Sequence, residues 1–131
     1  MKTMKRILLV FDDEKEMSFM EANLKENGFE IFSSSNVKEI LDLATRVIPD
    51  LIVLNTLDTA FVLALFNTNF KSEQLKNTSV ISLIDPKDYL SVSNEEYFIV
   101  KPIRPKLLLS LIRGLMNHEA VNWLPNMTHV C

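Results

Sequence analysis

Four short runs of apolar residues, at 7–11, 51–54, 80–84 and 97–100, lack the inward/outward alternation of a strand with one wet face. Unbroken runs of this length suit strands covered on both sides, as in a parallel sheet flanked by helices. A further run at 29–33 alternates more and is expected at a sheet edge. The segments between the runs carry helical spacing. Met17, Met20 and Leu24, with Ala22 on the adjoining face, mark a helix over about 14–27. Asp13 stands at its N-cap, Glu16 at the reciprocal capping-box position and Gly28 at its stop. Val37, Ile40, Leu41, Ala44 and Val47 mark a second helix, capped by Asn36 and ended by Pro49, and Phe61, Val62, Leu65 and Phe66 a third. Pro105 suits the first turn of a last helix with the stripe Leu108, Leu111, Ile112 and Leu115. Strands alternating with helices predict an α/β fold with a parallel sheet.

With 131 residues the chain fits one domain. It contains only 2 Gly, so the glycine-rich loops that cradle nucleotide phosphates lack their raw material. A formal net charge of -3 gives no overall field for nucleic acid, and none is expected as a partner. The single cysteine, Cys131, excludes an intrachain disulfide and points to a reducing, cytoplasmic setting. The basic residues 1–6 precede an apolar run as in a secretory signal. That run meets Asp12, Asp13 and Glu14 too early for an h-region, and no stretch approaches a membrane span.

In an open parallel sheet, functional groups gather at the carboxyl ends of the strands. There stand RILLVFDDE at 6–14, PDLIVLN at 49–55, SVISLI at 79–84 and YFIVKP at 97–102. In this order and spacing, over residues 5–119, the chain resembles the receiver domains of two-component response regulators. The resemblance implies a flavodoxin-like, CheY-like doubly wound five-stranded parallel sheet of order 2-1-3-4-5. The segment between Ile84 and Lys101 is short for the family, so its fourth helix is expected to be truncated. Residues 1–119 are expected to form the domain and 120–131 a tail containing Trp123 and Leu124.

The family forms an acyl phosphate on an aspartate after strand 3, using Mg²⁺ held by an acidic pair after strand 1. A hydroxyl after strand 4 and a lysine after strand 5 stabilise the phosphoryl oxygens. Carried over by position, the acceptor is Asn55, whose neutral amide cannot form that bond. Counting back from Gly28, the acidic pair falls on Phe11 and Asp12; a register placing it on Asp12 and Asp13 needs an insertion in strand 1. The hydroxyl position is Ile84 and the switching aromatic is Phe98. Lys101 and Asp12 remain. A complete site carries a charge of about -2 before its metal arrives, whereas Asp12 with Lys101 is near neutral, so Mg²⁺ binding is expected to be weak or absent.

Asp13 reads first as a helix cap, and Asp12 either as a cap or as an ion-pair partner of Lys101. His118 and His129 stand alone and are not expected to bind metal. Three functions follow. The first is a degenerate, non-enzymatic receiver that signals through a protein partner, such as a kinase or output protein, or through homodimer formation. The second is an active phosphorelay receiver accepting on Asp13, Asp50 or Asp58. The third is a small flavodoxin-like cofactor-binding enzyme, which lacks both glycine-rich loops and a His, Ser or Cys cluster at strand ends.

Overall fold

The computed structural model of the chain describes residues 5–56, 78–87 and 97–116. Within them β1 (Arg6–Phe11), β2 (Glu30–Ser34), β3 (Leu51–Asn55), β4 (Ser79–Ile84) and β5 (Tyr97–Val100) form one sheet. Its order is β2-β1-β3-β4-β5, with every pairing parallel. This is the flavodoxin-like, CheY-like doubly wound arrangement that the runs and their resemblance implied. Among the described residues the helices are α1 (Glu14–Glu26), α2 (Val37–Val47) and α3 (Pro105–Met116). The helix expected around Phe61, the truncated helix before β5, Asp58 and the tail lie outside the described residues. No helix among those described is long and apolar enough to cross a membrane.

Side-chain alternation along the central strands divides the core into two layers. Ile7, Leu9 and Phe11 of β1, with Leu51 and Val53 of β3, pack against Met20 and Leu24 of α1 and Leu108, Leu111 and Ile112 of α3. Leu8 and Val10, with Ile52 and Leu54, pack against Ile40 and Ala44 of α2. Both faces of β1 and β3 are therefore dry, which is why their sequences show no alternation. β2, at the edge, is only partly buried.

The stripe of α1 is narrower than its spacing suggested, because Ala22 faces solvent. Its carboxyl end closes as a Schellman turn: the Gly28 amide donates to the Lys25 carbonyl at 3.1 Å and the Phe29 amide to that of Leu24 at 3.2 Å. Gly28 has φ +91, and a Cβ added there would meet nothing within 4 Å. Gly28→Ala therefore introduces backbone strain without a clash, and is expected to lower stability by about 1 kcal/mol. Urea unfolding would register this as a lower midpoint at constant slope; an unchanged midpoint would refute it. α2 stops at Val47, before Pro49, where Ile48 takes a left-handed turn with φ 53.

Candidate functional site

Asn55 ends β3 and is only 4% exposed. β1 runs unbroken to Phe11, which lies abreast of Asn55 in the parallel register, and the Asp12 amide donates to the Asn55 carbonyl at 3.1 Å. Phe11 is fully buried in the layer shared with α1 and α3. Asp12 and Asp13, just beyond the strand, are exposed. Asp13 caps α1, its Oδ1 accepting from the amides of Lys15 at 2.8 Å and Glu16 at 3.0 Å. Two otherwise unpaired helix amides are satisfied in this way.

The Glu16 side chain bonds elsewhere than to the Asp13 amide that its capping-box spacing suggested. Its Oε1 accepts from the Asn55 side-chain Nδ2 at 3.4 Å, a long bond that joins the first turn of α1 to the end of β3. Sequence reading placed Glu16 only in the cap. The signal for this contact is that the first turn after β1 overhangs the neighbouring strand end.

On the other side, Lys101 follows β5 and its amide donates to the Ile84 carbonyl at 2.8 Å. The Lys101–Pro102 peptide bond is cis. Lys101 Nζ lies 3.7 Å from Asp85 Oδ1, in a partly shielded ion pair. Asp85 was not singled out from sequence, although it is the first residue after β4 and so falls at the same pole of the sheet. Ile84 and Phe98 are buried. The hydroxyl of Ser82, abreast of Phe98 on the neighbouring strand, is buried without a hydrogen-bond partner. Asp50 lies at the opposite pole, its Oδ2 accepting from the Arg6 amide at 2.9 Å.

Among the described residues no three His, Cys, Asp or Glu side chains come together as a metal centre requires. Phe11 offers a ring, Asn55 turns its amide nitrogen to Glu16, and Asp13 Oδ1 serves two backbone amides. A hard divalent cation needs several oxygen ligands facing one point.

No protein-family model and no curated relative matches the sequence. Solved structures do resemble the fold. The signal receiver domain of a signal transduction histidine kinase from Syntrophus aciditrophicus superposes with a TM-score of 0.74 at 24% identity, covering 87% of this chain and 91% of that one. A response regulator receiver modulated diguanylate cyclase from Pelobacter carbinolicus gives 0.72 at 22% identity, over 95% and 100%. The chemotaxis response regulator CheY4 of Vibrio cholerae gives 0.70 at 21%, over 86% and 99%. The fold is that of receiver domains.

Proposed function

We propose that residues 1–119 are a receiver-like domain of two-component signalling that acts in the cytoplasm by binding protein, carries no enzymatic activity and is not phosphorylated on aspartate. Residues 120–131 are its appended tail. The observation that carries this reading is the buried amide of Asn55 at the end of β3, the position to which the resemblance to receiver domains assigns the acceptor carboxylate. An amide cannot be the nucleophile of an acyl phosphate. Ile84 supplies no hydroxyl, and the carboxylates nearby are spread between a helix cap, an amide and a lysine. The similar structures belong by name to a chemotaxis regulator, a histidine kinase and a receiver-modulated cyclase, so a kinase or an output protein is the partner class this reading favours.

The test is incubation with acetyl phosphate and Mg²⁺, beside a receiver that has its acceptor aspartate, followed by intact mass spectrometry. The expected spectrum of this protein is unchanged while the control gains one phosphoryl group. Titration with Mg²⁺ to about 10 mM should leave the amide resonances of Asp12 and Asp13 without a saturating shift. A phosphoryl adduct on this chain would overturn the proposal.

A further inference from the structure

A hollow of about 330 Å³ opens between the first two turns of α1 and the connection from β5 to α3. Its floor is Phe11, which has no exposed surface, so the hollow reaches into the core layer instead of lying on top of it. Phe19 and Met20 form the wall on α1 and Ile103 the wall opposite. Phe19 is 58% exposed, and a molecule packed in the hollow would cover part of that wet apolar surface. Two rings and a thioether favour an aromatic occupant, which gains ring–ring and sulfur–ring contacts there. A cavity of roughly 150 Å³ is enough for benzene, and small-molecule sites begin at about 300 Å³, so a ring with a short side chain fits.

Two charged side chains stand at the same hollow, Glu16 and Lys101, and they are not equivalent. Lys101 Nζ lies 3.7 Å from Asp85 Oδ1, so its charge is already balanced. Glu16 forms no ion pair among the described residues, and its carboxylate takes part in one hydrogen bond there, the long one from Asn55 Nδ2. A carboxylate has about four acceptor sites. Glu16 is therefore the charge with capacity left, and a cationic donor is what it would receive. An anion would have to draw Lys101 away from Asp85 while standing beside Glu16.

The geometry points to a site for a small arylalkyl amine, its ring between Phe11, Phe19 and Ile103 and its ammonium group donating to the Glu16 carboxylate. That ammonium group competes with the Asn55 amide for the same carboxylate. Occupancy is then felt at the end of β3, and gives a domain that takes no phosphoryl group a chemical input of another kind. This consequence rests on the reading of Asn55 proposed above, whereas the binding does not. A phosphoryl adduct would remove the first and leave the second standing, and an absence of amine binding would do the reverse.

The probe is 2-phenylethylamine, a cation at neutral pH, titrated into the full chain to about 20 mM and followed through the amide resonances. Beside it, 2-phenylethanol and 3-phenylpropionate keep the ring and replace the cation by a neutral and an anionic group. Saturating shifts are expected at Met20, at Ile103 and in the Asn55 side-chain amide, with a dissociation constant of about 1 mM or below for the amine. The alcohol should bind at least about tenfold more weakly, as loss of a charge-assisted bond implies, and the carboxylate should not saturate. Glu16→Gln keeps an oxygen for Asn55 but loses the charge, and should bring the amine down to the level of the alcohol. Phe19→Ser should weaken amine and alcohol alike, by about fivefold or more, with the circular dichroism spectrum unchanged. No saturable shift with the amine, carboxylate binding as tight as the amine's, or an amine affinity unchanged in Glu16→Gln or in Phe19→Ser would overturn the assignment. So would a blocked phenylalanyl-lysine dipeptide that binds at least about tenfold more tightly than the amine, since the hollow would then belong to the side chains of a protein partner.

Discussion

Phe11→Ala is expected to remove about 3–5 kcal/mol of stability, the usual cost of deleting a buried aromatic ring. Phe11 has no exposed surface and belongs to the cluster that joins β1 to α1 and α3. Its ring also floors the hollow beneath Phe19, so its loss enlarges an existing void rather than creating one that neighbours can close. Against a total stability of about 5–15 kcal/mol for a domain of this kind, this is a large fraction. The melting temperature should fall by roughly 10 °C or more. Denaturant unfolding would measure the difference directly, and a loss below about 1 kcal/mol would mean that the ring is not part of the core. The same packing bears on any attempt to rebuild an acceptor site. From sequence alone, Phe11→Asp combined with Asn55→Asp and Ile84→Thr is the variant expected to regain some phosphorylation. The structure attaches to its first change a carboxylate placed where a fully buried ring packs, so the combination must be checked for folding before its chemistry is read.

Asn55→Asp is the second large effect, expected to cost about 2–4 kcal/mol at neutral pH without restoring efficient phosphorylation. The substitution puts an ionisable group at a position only 4% exposed, facing the Glu16 carboxylate that now accepts the amide's hydrogen bond. Burial is the larger cause, because Glu16 is exposed and can turn towards solvent. Both causes raise the new carboxyl's folded-state pKa above its unfolded value. The folded protein then binds more protons than the unfolded chain in the window between the two values. The variant's stability relative to the parent should therefore fall as pH rises from about 4, and level off above the folded-state pKa. Paired urea titrations across pH 4 to 8 would follow this gap. A variant as stable as the parent at neutral pH would show that position 55 is better hydrated, or better supplied with cations, than its burial indicates.

The strands were legible because each central one buries both faces, and continuous apolar runs report that directly. Asp13 as the cap of α1, Gly28 as its stop and Pro105 at the start of α3 were legible for the same reason: each meets a local backbone requirement. What escaped was whatever depended on juxtaposition. Glu16 fitted a local motif so well that its contact with Asn55, 39 residues away, left no mark in the pattern. Asp85 became the partner of Lys101 only once β4 and β5 lay side by side. The end of α2 at Val47 agreed with Pro49 as its stop, whereas the left-handed turn at Ile48 between them carries no sequence signature. The hollow beside Phe19 was invisible too, since spacing along α1 says which side is wet but not what stands across the seam.

The bond from Asn55 to Glu16 also bears on time. A domain that stores its state as an acyl phosphate remembers a stimulus for as long as that covalent bond survives hydrolysis. An amide tied to a carboxylate stores nothing. In the role proposed for this chain, its response would track the instantaneous concentration of its partner, with no memory beyond the residence time of the complex, which for protein pairs ranges from milliseconds to days.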